Sequence, residues 1–148
     1  MIAFWVPGIP APQGSMRAFM PKGARFPVVT GDNPKTKPWR ASVAYCAMQA
    51  RGKRPLYQGP VMLQASFYLP RPKSLPKKVV DAIKKPDLDK LVRGVCDALK
   101  GVIWEDDSQV ISLVAIKNYG TPGCHVEVRG MGKEEWQHGE SDEVGLRP

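Results

Sequence analysis

Hydrophobic residues recur along the chain at two spacings, and each spacing predicts a type of secondary structure. Bulky side chains alternate over Ile2–Val6 and over Val61–Leu69, which predicts two strands. A helical spacing of three and four residues joins Leu88, Leu91, Val92, Val95 and Leu99. This spacing predicts an amphipathic helix over residues 87–100, with Asp87 at the N-cap and Gly101 past its end.

The same reasoning predicts a second helix and two further strands. Apolar residues at helical spacing follow Thr36, a suitable cap, and stop before Gly52; they are Trp39, Val43, Cys46, Ala47 and Ala50. Residues Gln109–Asn118 are apolar on both faces, which is typical of a central strand. A turn rich in glycine then leads into a last strand, Cys124–Arg129.

Prolines and basic residues mark the connections. The prolines and glycines of residues 7–14 favour an extended segment, and residues 18–35 are typical of a basic loop. Residues 70–86 hold four prolines and six Lys or Arg, and predict a cationic loop with one helical turn at Val79–Lys84. The elements together predict a single α+β domain over residues 1–130, with a mixed sheet of about four strands and two main helices. Residues 131–148 have no periodicity and predict a mobile acidic tail.

Charge narrows the possible partners. The net charge is +8; residues 131–148 carry −3, so residues 1–130 carry +11. Such a basic domain favours a nucleic-acid partner, although ribosomal and membrane-surface proteins share the property. No apolar run is long enough to span a membrane, and the N-terminus lacks the features of a signal peptide. The three cysteines are odd in number and widely spaced, which is typical of reduced thiols, so we expect a cytoplasmic protein without a membrane partner.

Acidic residues cluster in one part of this basic chain. Seven carboxylates lie between Asp81 and Asp107, whereas residues 1–80 hold thirteen Lys or Arg and a single acid. Like charges brought together raise the free energy unless a cation neutralises them. A metal-dependent enzyme that acts on a polyanion has this layout, because the basic field gathers phosphates while the acids hold the metal.

Three of these acids are candidate metal ligands. Asp87 and Asp89 lie two residues apart at a helix start, and Asp107 precedes a strand that could pack beside that helix. Carboxylates with open positions suit Mg²⁺ or Mn²⁺. The structural alternative is that Asp87 only caps the helix and Asp107 only stabilises a turn. An EF-hand is excluded because Leu91 and Val92 occupy a ligand position and the glycine position of that motif.

The cations around the acidic cluster also have two interpretations. Arg93 lies four residues after Asp89 and four before Asp97, which is typical of a surface salt-bridge ladder. It could instead stabilise negative charge on a phosphate beside the metal. Lys77, Lys78, Lys84 and Lys85 form either a solvated loop face or a set of phosphate contacts next to the acids.

The acidic block resembles the RusA family of Holliday junction resolvases, which are often phage-encoded. The similarity rests on Lys85–Leu91, Asp97–Leu99, Gly101 and Asp106–Val110 at fixed intervals, and on the opening strand followed by Gly8, Pro10, Pro12 and Arg17. Trp39 and Arg40 with Val43 are similar to the family's first helix. The resemblance covers about residues 2–130.

The resemblance implies a Mg²⁺-dependent endodeoxyribonuclease, with Mn²⁺ able to substitute, that acts as a homodimer in the bacterial host cell and nicks four-way DNA junctions symmetrically. By position, the essential acids are Asp87, Asp89 and Asp107, with Asp106 secondary. The usual asparagine is Lys90 here, and the functional lysine is Arg93. Arginine keeps the charge but does not release its proton, so an electrostatic role is compatible with this exchange.

These observations lead to one functional prediction and one rival. We predict a resolvase of branched DNA whose DNA contacts include Lys77, Lys78, Lys84, Lys85, Lys90 and Arg17. The rival is a non-catalytic basic DNA-binding protein whose aspartates are structural. A basic RNA-associated factor is disfavoured because the sequence lacks an aromatic RNA-binding stretch.

Overall fold

A computed structural model describes residues 1–14, 16–31 and 33–132, with the backbone alone for residues 16–18 and 29–31. The predicted tail therefore lies outside the described residues, apart from its first two. The elements follow one another as β1 Ile2–Pro7, β2 Met16–Phe19, β3 Val28–Gly31, α1 Thr36–Arg51, β4 Val61–Leu69, α2 Leu88–Leu99, β5 Val110–Tyr119 and β6 Gly123–Gly130. No helix in the described part of the chain is long and apolar enough to cross a membrane.

Four strands form the main sheet in the order β1-β6-β4-β5. β6 pairs antiparallel with both β1 and β4, whereas β4 and β5 run parallel. The parallel pair needs a crossover connection, and α2 lies in the chain between its two strands. The prediction of a single α+β domain with a four-stranded mixed sheet and two main helices is confirmed.

The core lies between one face of this sheet and the two helices. Alternate residues of β4, namely Val61, Leu63, Ala65 and Phe67, are fully buried, as the period of two predicts. They belong to the same apolar cluster as Val43 of α1 and Leu91, Val95 and Leu99 of α2. Trp104, in the loop after α2, is also fully buried. The helix that carries the acidic block is thus fixed by its apolar face.

The prediction that β5 is a central strand is wrong. Among the strands that the structure describes, β5 lies at the edge of the sheet and pairs with β4 alone. Its apolar side chains are exposed on both faces of the sheet. Leu113 lies on the helix-covered face beside its partner Leu63, and Val114 and Ile116 lie on the opposite face beside residues 64 and 66 of β4. The periodicity of a strand shows how apolar each of its faces is, but it does not show how many strands pair with it.

Three local predictions also need correction. Residues 16–31 include the hairpin β2–β3, which pairs Met16 with Gly31, rather than an irregular loop only. Lys35 occupies the N-cap of α1, and the hydroxyl of Thr36 donates instead to the carbonyl of Pro12 at 2.7 Å. The predicted helical turn at Val79–Lys84 is absent from the described backbone, where a turn closes between Val79 N and Pro76 O at 3.0 Å.

Candidate active site

The N-terminal end of α2 carries the first two candidate acids. Asp87 occupies the N-cap with an extended backbone, and its carbonyl accepts the first helical hydrogen bond, from Leu91 N at 3.2 Å. Its carboxylate makes no capping hydrogen bond and lies 3.8 Å from Lys90 Nζ. Asp89 follows in the first turn with an exposed side chain. Both carboxylates therefore lie at the positive end of the helix dipole, and that of Asp87 is not used as a cap.

The proline-rich segment after β1 packs against this end of α2. Gln13 N donates to the carbonyl of Lys90 at 3.0 Å. Gly94 permits the close approach, because a Cβ there would lie 3.3 Å from the carbonyl oxygen of Ala11. The side-chain oxygen of Gln13 is buried and has no hydrogen-bond partner among the described residues. An unsatisfied oxygen acceptor thus belongs to a residue whose backbone is bonded to the start of α2.

Asp106 has a structural role in the turn before β5. Its carboxylate accepts a hydrogen bond from Ser108 N at 2.9 Å and lies 3.5 Å from Lys100 Nζ. These contacts, the Ser108 bond first, hold the pKa of Asp106 below its usual value. Gln109 completes the capping box by accepting from Asp106 N at 2.9 Å. The structural alternative therefore fits Asp106 best.

Asp107 is oriented by the core. The indole Nε1 of the fully buried Trp104 donates to Oδ1 of Asp107 at 2.9 Å. Burial, followed by the negative charges of Asp107 and Asp97, raises the pKa of the Cys96 thiol to about 12. Asp107 is thus within electrostatic reach of Cys96, in the third turn of α2.

The three candidate acids do not form one compact cluster. Among the residues that the structure describes, no group of three His, Cys, Asp or Glu side chains is close enough to hold a metal ion. Asp87 and Asp89 share the start of α2, whereas Asp107 lies in the turn before β5. Asp87 and Asp89 are therefore the two candidate acids that one element holds together.

A folded loop, residues 77–85, precedes the acids; we call it the basic loop. Arg71 fixes its first half by donating to Val79 O at 2.6 Å and to Pro76 O at 2.7 Å. Lys117 of β5 fixes its end by donating to Lys84 O and Pro86 O, both at 2.8 Å. The side chains of the four predicted phosphate contacts are exposed: Lys77, Lys78, Lys84 and Lys85.

The remaining predicted cations have different surroundings. Arg93 is exposed, and the expected ladder is absent from the described ion pairs because Asp97 pairs with Arg40 of α1 at 3.7 Å. Lys90 lies beside Asp87, where it neutralises part of the acidic charge. Arg17 belongs to β2, and its side chain lies outside the described part of the structure.

Comparison with known proteins decides the family. The family model described as "Endodeoxyribonuclease RusA" matches residues 7–129, which is most of the chain. The chain belongs to the RusA family. It is also similar to the "Uncharacterized protein YqaN" of Bacillus subtilis (strain 168), with 37% identity over 139 residues, 86% of this chain and 95% of the relative. The resemblance noted in the sequence is confirmed.

Membership in the RusA family makes this chain an endodeoxyribonuclease of the Holliday junction resolvase class, with branched DNA as the substrate class. The matched span includes both aspartates at the start of α2, the turn with Asp106 and Asp107, and the whole basic loop. RusA-family nucleases depend in general on a divalent metal, so the donor set of this chain must be tested against such an ion.

The donors at the start of α2 fit a hard divalent ion in their chemistry. Mg²⁺ is commonly held by one or two carboxylates together with waters and substrate phosphates, so Asp87 and Asp89 are a sufficient protein contribution. Asp87 has no capping bond to break, and Gln13 offers an unsatisfied amide oxygen. Asp107 retains Oδ2, since only its Oδ1 accepts from Trp104.

Sequence reasoning missed two residues that support the site. Lys117 ends an apolar run in β5, and a charged residue in such a strand is the one sign in the sequence that its side chain has a specific partner. Its partners, the carbonyls of Lys84 and Pro86, lie more than thirty residues earlier in the chain, so the sequence could not predict the contact. Gln13 lies in a segment predicted only to be extended, and nothing in that pattern marks it.

Proposed function

We propose that this RusA-family chain is a Mg²⁺-dependent resolvase that cuts four-way junctions by paired symmetric nicks. The observation that carries the proposal is the exposed pair Asp87 and Asp89 at the start of α2, directly after the basic loop. A purely structural role explains Asp106 but not Asp87, whose carboxylate caps nothing. This difference favours catalysis over the non-catalytic DNA-binding alternative.

Asp87, Asp89 and Asp107 are the proposed metal ligands, with Asp106 secondary. Asp87 and Asp89 share the start of α2, and we propose that Asp107 approaches them when the ion and DNA are bound. The bound ion, Mg²⁺ or Mn²⁺, would activate a water for attack on the phosphodiester. The carboxylates of Asp87 and Asp89 lie at the positive end of the helix dipole, and the Trp104 hydrogen bond orients Asp107. Because Asp106 is held by Ser108 and Lys100, its contribution should be the weakest of the four.

Cations of the chain supply the remaining interactions with DNA. Arg93 is proposed to stabilise the negative charge that develops on the scissile phosphate, because it is exposed one helical turn beyond Asp89 and Asp97 pairs elsewhere. Lys77, Lys78, Lys84 and Lys85 are proposed to bind flanking phosphates. Lys90 and Arg17 are proposed as further DNA contacts.

A homodimer is the proposed active form, and β5 is its proposed interface. One acidic site per chain makes one cut, whereas resolution needs two symmetric cuts. Within residues 1–132, as far as the structure describes them, β5 has an open edge. Its exposed apolar side chains are Ile111, Leu113, Val114 and Ile116, with exposed fractions of 47 to 59%. An exposed apolar edge strand tends to pair with another chain. Antiparallel pairing with the same strand of a second copy would cover this edge through a two-fold axis.

The proposal is tested by Asp87→Asn, Asp89→Asn and Asp107→Asn on a synthetic four-way junction with and without Mg²⁺. Each variant should lose cleavage while binding the junction as well as or better than wild type, because negative charge near phosphates is removed. Asp106→Asn is the matched control and should retain more activity. If the three variants cut at the wild-type rate, the assignment of the metal ligands is wrong. Thermal unfolding of each variant controls for loss of structure.

A further inference from the structure

Two large apolar side chains are exposed within the basic loop. Val80 is 77% exposed and Ile83 is 79% exposed, and they lie three residues apart. Lys77 and Lys78 precede them, while Lys84 and Lys85 follow, so the apolar pair is enclosed by cations on both sides along the chain. Single exposed apolar residues are ordinary on protein surfaces, but a pair placed between two lysine pairs has a specific chemical character.

The loop holds these side chains in a defined position. Its ends are fixed by the hydrogen bonds of Arg71 and Lys117, and Arg71 also lies over the ring of Tyr119, 5.7 Å from the centroid. Ala82, between the two apolar residues, is buried, and Ile83 N donates to Asp81 O at 2.9 Å in a tight turn. The backbone is thus anchored on both sides while Val80 and Ile83 remain in solvent.

A partner for this loop must offer phosphates beside exposed apolar surface. Four lysines match a polyanion, and nucleic acid is the polyanion on which this family acts. In a continuous duplex, stacking covers the faces of the bases. At a branch point the stack is interrupted. Proteins that kink duplex DNA insert apolar wedges such as leucine, isoleucine or proline between the base steps that they unstack, so apolar side chains are suited to exposed base faces.

We infer that the basic loop recognises the branch point itself: its lysines bind flanking phosphates while Val80 and Ile83 pack against base faces that the branch exposes. This inference rests on the proposed function and adds to it the element that selects branched DNA. The same loop leads directly to Asp87, so contact at the branch would position the acidic site on the neighbouring strand. Lysines alone would bind duplex and junction alike, because phosphates carry no information about branching.

The test compares wild type with a Val80→Ser/Ile83→Ser variant for binding to a four-way junction and to linear duplex, without divalent ions so that no cutting occurs. Junction affinity should fall about tenfold, the order expected when packing against one base face is removed. Duplex affinity should stay within about twofold, since the lysines are retained. A 2-aminopurine placed at the branch should lose the fluorescence change that wild type induces.

Two controls separate the possible failures. Tyr45→Gln/Met48→Gln removes an exposed apolar pair from α1 and should leave the ratio of junction to duplex affinity unchanged. Neutralising the four lysines should weaken both affinities and lower the slope of log affinity against log salt by roughly 0.9 for each phosphate that the protein no longer neutralises. Wild-type selectivity that persists in the Val80/Ile83 variant overturns the inference alone. If wild type itself binds junction and duplex equally well, the proposed function is overturned as well. If the Val80/Ile83 variant is a monomer where wild type is a dimer, the inference is overturned, because the two side chains would then belong to a contact between copies.

Discussion

At the residue scale, the acids of the site differ in how the protein already engages them. Asp106 accepts from Ser108 and pairs with Lys100, and Asp107 accepts from Trp104. Among the described contacts, Asp87 has only an ion pair with Lys90 at 3.8 Å. An exposed pair of this kind contributes about 0–1 kcal/mol to stability. Replacing Asp87 should therefore affect chemistry much more than folding, whereas changes at Asp106 should affect the turn before β5.

Arg93 provides a prediction at the same scale. Arg93→Lys should retain substantial cleavage, and Arg93→Ala should lose roughly 100-fold in kcat, the order found when one charge-stabilising donor is removed from an active site. The reason is that the proposed role needs only a positive charge, which lysine preserves and alanine removes. Single-turnover cleavage of a junction measures both variants. Equal rates for all three proteins would contradict the electrostatic role of Arg93 and favour a surface salt bridge. Asp89 would then be its partner, because Asp97 pairs with Arg40.

At the scale of elements, Lys117 connects β5 to the loop that leads into α2. Lys117→Met should lower the free energy of unfolding by about 1.5–3 kcal/mol, because two carbonyls lose a charged hydrogen-bond donor. Cleavage should also weaken as the loop before Asp87 loosens. Lys84→Met is the matched control for stability, since its side chain is exposed and makes no hydrogen bond among those described. Chemical denaturation measures the difference, and equal stability of the two variants would contradict this role.

The elements also show what the sequence can and cannot predict. The sequence predicts β4 and α2 almost to the residue, because a buried face imposes a period of two or 3.6 on the sequence. It does not predict the edge position of β5. Apolar residues on both faces are typical of a central strand, and the sequence does not show which strands pair with β5. The hairpin β2–β3 escapes prediction because its two strands are only four residues long and are joined by glycine and proline. In the candidate site, Asp87 and Asp89 follow from local spacing, whereas the contact of Lys117 depends on the tertiary fold.

At the scale of the whole molecule, the open edge of β5 is the proposed contact between two chains. Leu113→Lys/Ile116→Lys should turn a dimer of about twice 16.3 kDa into a monomer, because antiparallel pairing would place these charges in an apolar interface. Sedimentation measures this change. Val80→Lys/Ile83→Lys adds the same charge to another exposed apolar pair and should leave the dimer intact. A β5 variant that sediments as wild type would place the interface elsewhere.

The central claim is that each chain contributes one metal-dependent cutting site and that two chains act on one junction. Mixing wild-type subunits with Asp89→Asn subunits tests it most directly, with incision of a mobile four-way junction followed on both opposing strands in Mg²⁺. We predict that wild type makes nicks at matching positions on the two strands, that mixed dimers leave junctions nicked on one strand only, and that omission of Mg²⁺ abolishes both. Paired nicks from mixed dimers at the wild-type rate, or degradation of linear duplex as fast as junctions, would contradict the claim.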